Sequence, residues 1–456
     1  MGDNIDGVPL DDKKTYDLIS QGLTHGVFQV ESYLAQKWCK LIKPKNIGDV
    51  SDILAIIRPG ALQQADAYLK VRNKEIEETY IDERLRPILQ DTHSIILYQE
   101  QTLRIAQELG GFSESKADEL RAAIGKKKKE KMDKLLPEFV DGCVQNGIKK
   151  ESAQTLADII IDSASYQFNL SHSVCYSCLA YFSAYYKANY PIHFFWANLM
   201  TSKHKQDPLD GIRALFYDMK NFDIKLLPPS LRHNSPDFKI IDESTIEFGL
   251  NHIKGCGEKS YSKFKKIYGK ETWSMLLKAI FEKKVSKSHY EPLIKCGALD
   301  YFNKTRSRML FDVSLISSLS ATQKKVFLEL FDPELYNRDL YIIEIVENII
   351  KSNKRLKLSE KTKELIEIGK SSKFNDHPIT KDIYERSLLG INMTSSRVDG
   401  YSLDEEITHD CLSVNSQKSG DICVVGLLEN VNIITTKKGD KMAFLEISDL
   451  SGKVSN

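Results

Sequence analysis

The sequence predicts a mainly α-helical, multidomain protein, and three observations predict it. Apolar residues recur at three- and four-residue spacing through most of the first two hundred residues. At 456 residues the chain is longer than one core usually fills, since single cores rarely grow beyond about 250 residues. The period switches to strand-like alternation only near the C-terminus, on either side of KKGDK.

In order, PLDDKKTYDLIS opens a helix, with Asp11 and Asp12 reading as its start. Helices then alternate with polar punctuation such as RPGAL and QDTHS. ILYQEQTLRIAQELGGF and KADELRAAIGKKKKEKMDKLLPEF are amphipathic helices. At DIKLLPPSLRHNSPDFKI two prolines end an element, and short β-like runs follow, FKII and TIEFGL. This places a boundary between Lys205 and Pro229 and a first domain at 1–210. Two glycine turns come next, IKGCGEKSYSKF from Ile253 and LIKCGALDYF from Leu293, which suggest a tandem helical module at 211–310. Residues 311–410 are expected to be a helical connector, because the stretch from Ala321 to Ser396 is rich in lysine and glutamate with modest apolar content. The tail, 411–456, should hold a β-hairpin turning at KKGDK and a further turn at DLSG.

Lysine plus arginine (64) and aspartate plus glutamate (63) nearly cancel, so any basic surface must be local. Apolar runs such as FFWANLM are too short to cross a bilayer and the N-terminus has no signal-peptide pattern, so a cytoplasmic protein is expected. Eight cysteines, from Cys39 to Cys423, form no dense framework and read as reduced thiols.

The densest chemistry lies in FNLSHSVCYSCLAYF from Phe168. A serine nucleophile at Ser171 or Ser173 would need a strained strand-to-helix turn, a base and an orienting carboxylate, and that context is missing. His172, Cys175 and Cys178 share a helical face, but no second pair completes a metal site, so structural cysteines in a buried helix are the better reading. A third reading has Asn169, His172 and Tyr176 on one face, offering a donor, a titratable group and a ring to a planar, charged ligand; a nucleotide would suit. GKKKKEK, from Gly125 to Lys131, follows Arg121 and is either a solvated helix end or a contact for triphosphate or DNA backbone. Arg58 in IIRPG either ends an element or grips phosphate bidentately. The turns at Lys254–Gly257 and Lys295–Ala298 let backbone amides approach a phosphate, or they simply terminate helices; two copies favour helix-hairpin-helix.

Taken together, GVPLDDKKTYDLI, GVFQVES, IIRPGAL, SIILYQEQTLRIAQELGGFS, KADELRAAIGKKK, FNLSHSVCYS, YYKANYPIHFFWANLM, IKLLPPSL, FGLNHIKGCGEKS and LIKCGALD resemble, in order, the C-family replicative polymerases, the bacterial DNA polymerase III alpha subunits. The resemblance implies a fingers domain at 1–210 that binds incoming dNTP and template, and a tandem helix-hairpin-helix region at 211–310 that holds duplex DNA. It also implies the start of an incomplete OB-fold at 411–456. Carried over residue by residue, the nucleotide site would comprise Arg58, Arg121, Lys126, Lys127, Asn169, His172 and Tyr176. DNA contacts would fall to Lys128, Lys254, Gly255, Gly257, Lys295 and Gly297. FLELF resembles a sliding-clamp-binding peptide of the QLxLF type, through Phe327, Leu328, Leu330 and Phe331; a buried amphipathic helix would explain it as well.

The departures carry implications too. Leu170 stands where the family usually has lysine, Ala122 where it has a second arginine, and LGINMTSSR replaces LGLYLTGHP. The family's palm aspartates, which hold Mg2+, lie upstream of PLDDKKTY, and no DxD motif occurs here. The expectation is therefore part of an alpha subunit, a split-gene product (phage genomes being one source) or a truncated chain, inactive alone and needing a palm-containing polypeptide. A non-catalytic DNA- or replisome-binding module is the alternative.

Overall fold

The computed structural model describes residues 7–58, 60–337, 341–352, 357–396, 398, 409–414, 422–436, 439–449 and 453–455. The chain forms two compact units, Met1–Pro191 and Ile192–Asn456.

The first unit is helical: α1 (Lys13–Ser20), α2 (Tyr33–Ile42), α3 (Ile47–Ile56), α4 (Ala65–Arg72), α5 (Arg86–Leu89), α6 (Gln99–Glu108), α7 (Glu114–Gly125), α8 (Lys129–Gln145), α9 (Lys150–Ser163) and α10 (Leu170–Asn189). Side-chain caps set many of the starts. Asp12, Ser32, Asn46, Ser113 and Asn169 each accept a backbone N–H two or three residues inside their helix, satisfying donors that would otherwise lack partners. The seven residues of α3 from Val50 to Ile56 are all buried, and α10 turns Ser173, Ser177, Ala180 and Ala184 inward. These small side chains let the backbones of α3 and α10 approach closely. Helices α5 to α9 close around a separate core that includes Leu89, Ile105, Leu109, Leu120, Phe139 and Ile160. Where α8 meets the end of α6, a Cβ on Gly142 would lie 2.0 Å from the Gly110 carbonyl oxygen, so only glycine fits.

The second unit follows α11 (Pro191–Thr201) and α12 (Pro208–Met219) with a small sheet of β1 (Lys225–Leu227), β2 (Lys239–Asp242) and β3 (Thr245–Glu247) in the order β1-β3-β2. β2 and β3 are the FKII and TIEFGL runs. β1 was not foreseen, because three residues ahead of a proline pair carry no strand periodicity of their own. Next come α13 (Glu258–Phe264), α14 (Trp273–Glu282), α15 (Lys287–Lys295), α16 (Arg306–Ser317), α17 (Ala321–Leu330), α18 (Tyr341–Ser352), α19 (Glu360–Ser371), α20 (Pro378–Leu389) and the short α21 (Cys411–Val414). An antiparallel sheet, β4 (Leu427–Thr435), β5 (Lys441–Ser448) and β6 (Lys453–Ser455), ends the chain in the order β4-β5-β6 and is consistent with part of an OB-fold. The hairpin turns through Gly439 at φ +90°, within the KKGDK signal. Among the described residues no helix is long and apolar enough to cross a membrane.

Two expectations for 311–410 need correcting. Its described helices bury Phe311, Ile316, Ile342, Val346, Ile349 and Ile366, and most of their lysines and glutamates face outward, while Asp312, Asp382 and Glu385 are buried. The expected clamp-binding peptide is part of α17. Phe327 and Phe331 are 1% and 2% exposed and stack with ring centroids 5.3 Å apart. The two side chains that would fill a partner's pocket already fill the core, leaving Leu330 exposed and Leu328 half-buried.

Candidate nucleotide and nucleic-acid interface

In the first unit, a short parallel bridge between Tyr98 and Phe168 sets the starts of α6 and α10 side by side. The Gln99 N–H donates to the Phe168 carbonyl at 2.9 Å and the Phe168 N–H to the Leu97 carbonyl at 2.9 Å. Glu100 then reaches across. Its carboxylate accepts from Asn169 Nδ2 at 2.8 Å and from the Leu170 N–H at 2.9 Å, while Asn169 Oδ1 accepts from the His172 N–H at 2.8 Å.

From this corner a row of rings runs along α10. The Arg58 guanidinium lies 4.5 Å over the Phe168 ring, Phe168 meets His172 edge-on at 5.3 Å, His172 lies 4.0 Å from Tyr176, and Tyr176 meets Phe28 at 5.4 Å. His172 and Phe28 are exposed and Tyr176 is half-buried, so the row presents stacking surface with a cation at one end. Arg121, one helix away, donates to Asp118 at 2.8 Å and to Gln99 Oε1 at 3.2 Å, which ties it to the same corner. Lys126, Lys127 and Lys128 form the turn between α7 and α8, with Lys127 at φ +51°. All three are exposed, and among the described residues no ion pair is found for them.

The other readings of this stretch meet physical obstacles. Ser173 is buried and bonded to Ser51, and Ser171 is exposed on a regular helix rather than a strained turn. Cys175 is exposed and Cys178 half-buried, so the expectation of structural cysteines in a buried helix is corrected: they ride the outer face of α10.

The described residues do not fit a magnesium site. Among the described residues no group of three or more His, Cys, Asp or Glu could hold a metal. Asp12, the best-placed acid of the DD pair, is committed to capping. Partial burial raises its pKa, but hydrogen bonds from Thr15 and Asn189 outweigh this and leave it lowered.

Behind α10 lies a buried polar network. Asp52 accepts from Tyr68 at 2.7 Å and contacts Tyr98 Oη at 2.7 Å; Tyr98 touches Ser51 Oγ at 2.8 Å, and Ser51 Oγ donates to Ser173 Oγ at 2.9 Å. It joins α3, α4, the start of α6 and α10, the elements that carry the outward-facing residues.

In the second unit the two glycine turns differ. At the first, Gly255 has φ +84°, and a Cβ on Gly255 or Gly257 would meet nothing within 4 Å, so the backbone stays open. Lys254 is exposed, and a cleft of about 610 Å³ beside the turn is lined by Lys203, Arg213, Asn251 and Lys254. At the second, Gly297 has φ +85° and a Cβ would lie 2.2 Å from the Arg306 guanidinium. Arg306 is 2% exposed and bridges Asp300 at 2.7 Å and Glu385 at 2.8 Å. Lys295 is itself paired with Glu291 at 2.9 Å and lies over the Tyr384 ring. The second turn therefore faces inward.

A family model described as the bacterial DNA polymerase III alpha subunit finger domain matches residues 2–147, and a helix-hairpin-helix motif model matches 223–309. The DNA polymerase III subunit alpha of Aquifex aeolicus is 37% identical over 333 residues, covering 70% of this chain and 28% of that protein. The Bacillus subtilis (strain 168) subunit is 28% identical over 457 residues, covering 99% of this chain and 38% of its own length. The chain belongs with the bacterial DNA polymerase III alpha subunits. It spans about a quarter to two fifths of the length of these relatives.

The finger match of the alpha-subunit family ends before α10, which lies inside the stretch aligned to the B. subtilis relative. Of the residues expected at the nucleotide site, Arg58, Asn169, His172 and Tyr176 share one surface, with Arg121 tied to it through Gln99. Sequence reasoning missed Phe28, Phe168 as the ring under Arg58, and Glu100. Spacing relates residues within one helix; it carries no signal that Glu100 would cap α10 from seventy residues away.

Proposed function

We propose that the chain supplies the nucleotide-facing and duplex-holding parts of template-directed DNA synthesis, with dNTP and primer-template DNA as ligands. The aspartates that hold Mg2+ would come from a palm domain that the residues of this sequence do not include. The observation that carries this reading is the row Arg58, Phe168, His172, Tyr176 and Phe28, in which Arg58, His172 and Phe28 are exposed and Phe168 and Tyr176 half-buried. Rings of this kind stack on any base, so they suit a site that must accept four nucleotides. Arg58 would grip phosphate, and Lys126 and Lys127 would neutralise triphosphate charge, with Lys128 on the DNA backbone. The open turn at Lys254, Gly255 and Gly257 would hold duplex through backbone amides. Lys295 and Gly297 are assigned no more than support, given their inward partners. A sliding clamp would need a surface other than Phe327 and Phe331.

One observation favours a second reading, a non-catalytic binding module. Glu100 places negative charge at the start of α10, beside Leu170, where the family usually has lysine. Primer extension with four dNTPs and magnesium separates the two. Extension should occur when these residues act together with a palm domain carrying the aspartates, and should fall sharply with Arg58→Ala or His172→Ala. Tight DNA binding with no extension in any mixture would leave the binding module.

A further inference from the structure

The polar network behind α10 has more contacts than its hydroxyls can supply with hydrogens. Five short contacts need one each: Tyr68 to Asp52, Asp52 with Tyr98, Tyr98 with Ser51, Ser51 to Ser173, and Ser173 to the Ser51 carbonyl. Two tyrosines and two serines provide four. The directions leave no slack. Ser173 donates to the Ser51 carbonyl at 3.0 Å, and Ser51 Oγ spends its hydrogen on Ser173. Tyr98 must then donate to Ser51, so the hydrogen between Tyr98 and Asp52 belongs to the carboxyl.

We propose that Asp52 is a neutral carboxylic acid in the nucleotide-free protein and a positioning residue for the nucleotide-facing side of α10, its proton completing a one-way chain of hydrogen bonds that ends on Ser173. The inference rests on the nucleotide reading of α10. Ser173 lies next to His172 and one turn from Asn169 and Tyr176, so the chain terminates directly beneath the stacking row. When Asp52 loses its proton, Tyr98 turns its hydrogen to the carboxylate. Ser51 can then serve Tyr98 or Ser173, and one link is lost.

The surroundings agree. Asp52 is 4% exposed, and burial pushes its carboxyl up to about 7, against the hydrogen bonds that Tyr68 and Tyr98 donate to its ionised form, which lower it. Facing charges are few. Asp49 on α3 raises it, and Arg72 on α4, paired with Asp49 at 2.8 Å, lowers it. His93, edge-on to Tyr68 at 5.0 Å, is pushed below its ordinary range by burial and by Arg72, so it titrates on the acid side. Tyr68 and Tyr98 are pushed up by burial and then by Asp52 itself, and stay protonated.

The test uses the full chain, with a fluorescent deoxyadenosine triphosphate analogue as probe and infrared difference spectra between wild type and Asp52→Asn. Asparagine mimics the neutral acid, because its amide donates to Tyr98 while its carbonyl accepts from Tyr68. At acid pH the difference spectrum should show a protonated carboxyl band that vanishes between about pH 6 and about pH 8. Over the same interval wild-type affinity for the analogue should fall several-fold, and Asp52→Asn should bind evenly throughout. Ser173→Ala should keep the carboxyl band but lose the pH dependence of binding. No carboxyl band at the acid end would overturn the neutral acid. A band with the same affinity profile in wild type and Asp52→Asn would overturn the positioning role. If no variant binds the analogue, the nucleotide reading fails and the positioning role with it, while the band still decides the state of Asp52.

Discussion

Gly297→Ala should destabilise the second unit far more than Gly255→Ala, although the two glycines sit in matching turns at φ +85° and φ +84°. Both substitutions incur the left-handed backbone cost of an L side chain, about 1–2 kcal/mol. At Gly255 the cost ends there, because a Cβ meets nothing within 4 Å. At Gly297 the new methyl would sit 2.2 Å from the Arg306 guanidinium and 2.9 Å from an Asp300 carboxylate oxygen. Arg306 has nowhere to go: it also donates to the Lys295 carbonyl at 3.0 Å and to Thr394 at 3.1 Å, and Glu385 beside it is fully buried. Moving it leaves a buried carboxylate uncompensated, which costs about 3–5 kcal/mol. The expected total is therefore about 4 kcal/mol or more for Gly297→Ala, read as the drop in urea midpoint of the unit's unfolding transition. Gly255→Ala should instead weaken duplex DNA binding by about 1.5 kcal/mol, roughly tenfold, by filling the space a phosphate would approach. Equal stabilities for the two variants would remove the distinction between an outward and an inward turn.

That distinction shows where the sequence stops being readable. KGCG and KCGA look like copies, and local chemistry treats them alike. What separates them is Arg306, in the polar run NKTRSR, whose burial depends on Asp300 and on Glu385 from a helix some eighty residues later. Long-range partners of this kind leave no periodic trace. Conversely, α10 could be read because its information is local: a cap at Asn169 and side chains three and four residues on must share a face. The same rule says nothing about which distant groups join that face, so Arg58 was named as a phosphate ligand without its ring and Phe28 was not named. The region 311–410 was misjudged for a third reason. Its lysines and glutamates dominate the composition, while the apolar positions of YIIEIVENII repeat at helical spacing and pack inward. Average composition hides an amphipathic helix that periodicity would reveal.

His172→Ala and Tyr176→Ala should each weaken nucleotide binding by about 1–3 kcal/mol, the usual worth of an aromatic ring stacked on a base. The two rings touch at 4.0 Å, so removing one releases the other from its orientation. The double variant should therefore lose less than the two single losses together. Neither substitution should unfold the first unit, because His172 is exposed and Tyr176 half-buried, so circular dichroism and thermal midpoint should stay close to wild type. Replacing Lys126, Lys127 and Lys128 with alanine provides the contrast. Those ammonium groups act as screened charges, so their loss should weaken binding mainly at low salt and flatten the dependence of affinity on ionic strength. The aromatic losses should persist at high salt, since stacking involves no counterion release. Affinity in His172→Ala that recovers to the wild-type value at high salt would mean the ring contributes only charge. That outcome would dismantle the stacking row as a base-binding surface, while leaving the lysine turn as the place where phosphate is held.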